Sequence, residues 1–171
     1  LATDTGVDSA DRLTKDPTLR VSAAPSDEWA RQYLVYWTDS APQPRPVSGI
    51  LFTPDGLSEG LNIVHLAAVD SSRRLLPESV RQLTFWLDTQ PPTIPQISPR
   101  VAGTPVFDVT AESSDLLALI RDGLEIAGRQ GPGELADPFP ISDRAVSYSV
   151  IITDRAGNGT QSPKFPMQAM G

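Results

Sequence analysis

An aromatic run, Phe85-Trp86-Leu87, stops abruptly at mid-chain in Asp88-Thr89-Gln90-Pro91-Pro92. Its apolar half has the residue types of a buried strand, because aromatic and β-branched side chains suit a pleated, half-buried surface. The second half cannot extend that strand. Pro91 and Pro92 lack amide donors, and proline holds both itself and its predecessor in extended backbone. A stiff, short connector between two domains reads this way.

The same landmarks recur at one interval. Asp4-Thr5 precedes Asp88-Thr89 by 84 positions, and Asp70 precedes Asp154 by the same 84. Each of the latter two acids closes an apolar run, residues 63–69 and 146–152. The sequence therefore predicts two copies of one module, residues 1–87 and 88–171, ending just short of a third Asp-Thr. A chain that starts and stops in mid-pattern is expected to be a piece of a longer protein.

Modules of this size build one modest core each. The 17 prolines and 12 glycines favour many turns over long helices. A net charge of −7 argues against nucleic acid as a partner, because a phosphate-binding surface needs clustered Lys and Arg, and is compatible with binding cations. No apolar run is long enough for a membrane-spanning helix, and no signal peptide is evident. With no cysteine, disulfides and thiolate metal sites are excluded. A Cys-free secreted module would gain a comparable staple from a metal ion.

Short strands separated by turns fill the chain. In the first module they are expected at residues 18–23, 33–37, 47–52, 62–69 and 80–87, after a loop-like lead-in over 1–16. In the second they are expected at 94–97, 106–111, 124–127, 146–153 and 164–170, with 131–140 a loop by composition. Residues 116–120 read as either a strand or a helical turn, because five residues carry no decisive period. About seven short strands per half, with turn signals every 8–12 residues, predict all-β structure in two tandem immunoglobulin-like β-sandwiches. All three tryptophans, Trp37 foremost, are expected in or near the cores.

Four motifs in order resemble the bacterial Ig-like repeats of giant surface adhesins. They are the opening Asp4-Thr5-Gly6-Val7-Asp8, the Asp55-Gly56 … Gly60-Leu61-Asn62 segment, the linker Leu87-Asp88-Thr89-Gln90-Pro91-Pro92, and Asp154-Arg155-Ala156-Gly157-Asn158. The resemblance implies stalk modules of a large secreted or cell-surface protein, with neighbouring Ig-like modules as partners and calcium at module junctions. The first copy has Asp70-Ser71-Ser72-Arg73-Arg74 in the place of the D-x-A-G-N run.

Ig topology gathers the acids into candidate sites. Asp88 would meet Asp154 and Asn158, with Glu112 and Asp115 at the same pole. In the first module, Asp4, Asp27, Glu28 and Asp70 would share a weaker one. Calcium takes about six to eight hard oxygen ligands, which carboxylates and amides supply. Asp, Gly and Asn also make plain turns. Catalysis finds no support: the only histidine, His65, lies inside a strand, and no serine has a nucleophile context. The expected function is a non-enzymatic spacer of a surface or secreted adhesin-type protein. The competing reading is recognition of a glycan or protein by the loops 37–47 and 128–142, marked by an exposed Trp37 or Phe139.

Overall fold

The computed structural model describes residues 1–22, 34–100 and 104–169. Asp27, Glu28, Trp29 and the expected turn at 26–28 lie outside the described residues. The chain forms two compact units, Leu1–Thr89 and Gln90–Gly171. Among the described residues there is no α-helix, only a 3-10 turn at Pro77–Ser79.

Unit 1 contains β1 (Leu13–Thr14), β2 (Leu19–Arg20), β3 (Leu34–Thr38), β4 (Arg45–Pro46), β5 (Leu51–Phe52), β6 (Gly60–Ala68) and β7 (Arg81–Leu87). One sheet runs β1-β7-β6-β3-β4, and β2 pairs with β5 in the other. Leu19 and Phe52 from the small sheet meet Tyr36, Val64, Phe85 and Leu87 from the large one, so the core lies between them.

Unit 2 contains β8 (Val106–Val109), β9 (Leu116–Arg121), β10 (Leu124–Gln130), β11 (Gly133–Ala136), β12 (Val146–Thr153), β13 (Gly159–Gln161) and β14 (Phe165–Met167). The larger sheet runs β10-β9-β12-β13, with β14 also on β12, and β8 pairs with β11. Phe107, Val109 and Leu135 of the small sheet pack on Leu117, Leu119, Tyr148, Val150 and Ile152. Both units are immunoglobulin-like β-sandwiches. Shifted by 84 positions, β3 to β7 overlap β9, β10, β11, β12 and β14 in turn.

Several expectations change against the structure. Residues 116–120 are strand β9, with Leu117 and Leu119 buried in alternation. Residues 131–140 contain β11, whose Leu135 is buried while Glu134 turns outward; the surrounding glycines and prolines concealed that alternation. Residues 94–97 form no strand, because Pro92, Pro95 and Pro99 remove the amides a ladder needs, and only Pro99 bridges to Phe107. The lead-in includes β1, which runs parallel to β7.

The tryptophans are the main correction. Trp86 is 53% exposed. Trp37 lies outside the core cluster, and its neighbour Tyr36 fills the core instead. Successive strand residues face opposite ways, so a choice of the wrong parity exchanges inside for outside.

The sheet edges are short or irregular. In unit 1 the edge strand β4 is two residues long and ends in Pro46. In unit 2 the edge strand β10 bulges between Glu125 and Ala127.

Candidate functional site

The two loops that follow β6 and β12 have one geometry built from different residues. In unit 2, Asp154 N–H donates to Asn158 O (3.0 Å) and Gly157 N–H to Asp154 O (3.1 Å). Asn158 gives its backbone N–H to Asp154 Oδ1 (2.8 Å) and its side-chain Nδ2 to Oδ2 (2.9 Å). In unit 1, Asp70 N–H donates to Arg74 O and Arg73 N–H to Asp70 O, both at 2.9 Å. Asp70 Oδ1 accepts from the N–H groups of Ser72 (2.8 Å) and Arg74 (2.9 Å). The fourth loop residue is left-handed in both: Gly157 at φ 86° and Arg73 at φ 60°. Glycine adopts that backbone freely, whereas an L side chain is strained by it.

The sequence-derived site residues separate into two groups. In unit 2, β9 begins at Leu116, which pairs with Thr153 at the end of β12. Asp115 and Asp154 therefore stand at the same end of that sheet, with Asn158 bound to Asp154. Glu112 joins them through a turn in which its N–H donates to Asp115 Oδ2 (2.9 Å). Asp115 and Asn158 are buried. Asp88 belongs to unit 1, where its N–H donates to Thr14 O at 3.0 Å.

Asp4 and Asp70 do not come together. Asp4 Oδ2 accepts the Arg12 N–H, and Arg12 O accepts the N–H of Trp86, which pairs with Leu61 near the start of β6. Asp70 follows the far end of the same strand. The parallel pairing of β1 with β7 carries the lead-in to the opposite end from the one strand order suggested.

A calcium site needs several oxygens aimed at one point. Here Asp4 and Asp154 turn both carboxylate oxygens onto N–H groups of their own loops, Asp70 does so with Oδ1, and Asp115 with Oδ2. Among the described residues no three histidine or acidic side chains gather to hold a metal.

Two polar triads escaped the sequence reading. In unit 2, Asp137 Oδ2 accepts from Tyr148 Oη (2.7 Å) and Arg121 Nη1 (2.6 Å), while its Oδ1 accepts the Phe139 N–H (2.8 Å). Burial pushes the Asp137 carboxyl upward, but the bonds from Tyr148, Phe139 and Arg121 together hold it below the usual carboxylate range. Burial and the Asp137 charge push the Tyr148 hydroxyl up to about 12. In unit 1, Asp55 accepts from Tyr36 Oη (3.1 Å) and from Arg45. Pro138, Phe139 and Pro140 follow the buried Asp137, and Phe139 O also accepts from Arg121 Nη1 (2.6 Å). Phe139 is thus pinned through both backbone groups while its side chain is 79% exposed.

His65 is occupied by neighbours. It stacks on Trp37 with centroids 5.1 Å apart, and its Nε2 lies 2.9 Å from Asp39 Oδ1. The connector ends are also tied. Thr89 donates its N–H (3.0 Å) and its hydroxyl to the Glu59 carboxylate in unit 1. In unit 2, Thr160 Oγ1 donates to Pro92 O at 2.7 Å. Only Gln90 and Pro91 lie between the two tied residues.

No protein-family model matches the chain, and no curated relative does. Among solved structures it is similar to fibronectin(III)-like modules of Clostridium thermocellum CbhA, at 14% identity and a TM-score of 0.52. That match covers 93% of this chain and 88% of the other. At such identity the likeness shows the fold, an Ig-like β-sandwich. No helix among the described residues is long and apolar enough to cross a membrane.

Proposed function

We propose that the chain is a pair of non-catalytic spacer modules from a secreted or surface-exposed bacterial protein of the adhesin type. The observation that carries this reading is the connector. One end is hydrogen-bonded into unit 1 through Thr89 and Glu59, the other into unit 2 through Pro92 and Thr160. Pro91 and Pro92 stiffen what lies between. Each unit closes its own core, so neither needs the other to fold, which is what a repeated structural module requires.

Backbone ¹⁵N relaxation tests the reading. A stiff connector gives the two units one rotational correlation time, and Glu59→Ala with Thr160→Val separates them. Two independent correlation times in the unaltered chain would sink it. The spacer has no need of calcium, because its acidic loops are closed by their own hydrogen bonds. Thermal melts in calcium and in chelator should therefore coincide. A calcium-dependent rise that Asp154→Ala removes would bring the metal back, since an ion bound only to the folded state raises its stability.

A second reading, recognition of a glycan or protein by the loops, draws on Phe139. An aromatic held rigid at its backbone and exposed at its side chain has the character of a binding anchor. Phe139→Ser should then abolish ligand capture while leaving the melt unchanged.

A further inference from the structure

The loop after β6 borders a groove on unit 1. Its volume is about 430 Å³, toward the low end of the range of about 300–1,000 Å³ that small-ligand sites occupy. Val35 and Pro46, a cross-strand pair of β3 and β4, line it together with Pro44. Val69 and Leu75, bridged to each other across the loop, line it as well. Arg73 is the one charged side chain among the described lining residues.

Unit 2 supplies an internal control, because strand pairing carries the interval of 84 from β6 to its neighbours. Val35 opposite Pro46 corresponds to Ala118 opposite Gly128. Val69 bridged to Leu75 corresponds to Thr153 opposite Gly159. Arg73 corresponds to Gly157. Each of these positions is smaller in unit 2 or, at Thr153, polar, so the sandwich does not require the lining. Arg73 even works against the fold: at φ 60° it holds a backbone that suits glycine. Strain of this kind persists at functional positions, where the surrounding structure enforces it. The Arg73 side chain enters no ion pair or hydrogen bond among the described residues. Asp70, the acid of the same loop, gives Oδ1 to the N–H groups of Ser72 and Arg74.

We infer that this groove binds a small organic acid, a compact apolar body carrying one carboxylate. The body lies against Val35, Pro46, Val69 and Leu75, which removes apolar surface from water on both sides. The carboxylate pairs with Arg73, whose planar guanidinium matches two carboxylate oxygens at once. Charge complementarity selects the acid, since an apolar groove with a single unpaired cation leaves a neutral ligand without a partner for it. A peptide strand is a poorer occupant. Pro44 and Pro46 offer it no amide, and Leu34 O already accepts the Val47 N–H at 2.9 Å.

Titration of the full chain with phenylacetate, followed in ¹⁵N–¹H correlation spectra, tests the proposal. Saturable shifts are expected at Val35 and from Val69 to Leu75. Phenylacetamide, of the same shape but neutral, should bind at least about tenfold more weakly, as loss of hydrogen bonds between charged groups requires. Arg73→Gly, which keeps the loop backbone without strain, should bring the acid down to the level of the amide. Arg73→Gln should do the same, whereas Arg74→Gln should leave the difference intact. Circular dichroism of each variant establishes that the fold is kept. The absence of saturable shifts in the groove overturns the proposal. So does equal binding of acid and amide, or acid binding that survives Arg73→Gly in folded protein.

Discussion

Each unit ties a tyrosine and an arginine to an aspartate in the loop before its longest strand, but the two triads differ in depth. The Asp137 side chain is 1% exposed and that of Arg121 19%, whereas Asp55 and Arg45 stand at 60% and 52%. The strands that supply the partners also differ. The tyrosine comes from β12 in unit 2 and from β3 in unit 1; the arginine comes from β9 and β4. The chemistry is shared while the positions are not, so the loop aspartate is a solution reached twice within one fold. Burial decides its worth. An exposed ion pair is screened by water, but a buried one leaves an uncompensated charge when either partner is lost.

That contrast sets the largest expected effect. Asp137→Ala should destabilise unit 2 by about 3 kcal/mol, because Arg121 and Tyr148 lose their shared acceptor out of water. The same change at Asp55 should cost unit 1 less than about 1 kcal/mol. Calorimetric melts of the two variants check both, and equal losses would erase the distinction.

pH sharpens it next. The Asp137 carboxyl is held below its ordinary range in the folded state, so the unfolded chain takes up that proton first. Its contribution is complete above the unfolded value of about 4 and is lost as pH falls through the lowered one. Tyr148 works at the other end. Its folded value of about 12 exceeds the ordinary 10, so unit 2 loses stability as pH rises from about 10 toward 12. Burial raises Tyr36 too, so unit 1 shares the direction. Denaturant midpoints across pH, read from each unit's own resonances, should show the steeper alkaline loss in unit 2.

The smallest effect lies in the loops after β6 and β12. Gly157→Ala should cost about 1 kcal/mol, since alanine is strained at φ 86°. Arg73→Gly should stabilise unit 1 by roughly 0.5 kcal/mol, the strain relieved less the added freedom of the unfolded chain. If both changes destabilise, the loops are not equivalent.

Much of the fold was legible in the residues. Alternation exposed β3, β6, β7 and β12, and the Asp-terminated apolar runs gave the interval that later proves to relate paired strands. What failed depends on pairing over distance. The parallel contact of β1 with β7 leaves no periodic trace, so the position of Asp4 could not be read. The Asp137 triad joins residues 16 and 11 positions from its centre, which meet only because β9 and β12 pair, with only a buried-strand tyrosine to hint at a needed partner. Trp37 and Trp86 were misplaced for a simpler reason: composition says aromatic, but only register says which way a side chain points.

The blunted edges have a consequence for assembly in a tandem protein. Sister modules on one polypeptide meet at millimolar effective concentration while each is still folding. Under those conditions an open strand of one copy is a template for the wrong neighbour, and exchange of strands is a typical failure of repeats. Pro46 withholds an amide at the edge of unit 1, and the bulge at Glu125 and Ala127 breaks the ladder at the edge of unit 2. Each copy is thereby left to complete its own sheet before its neighbour can.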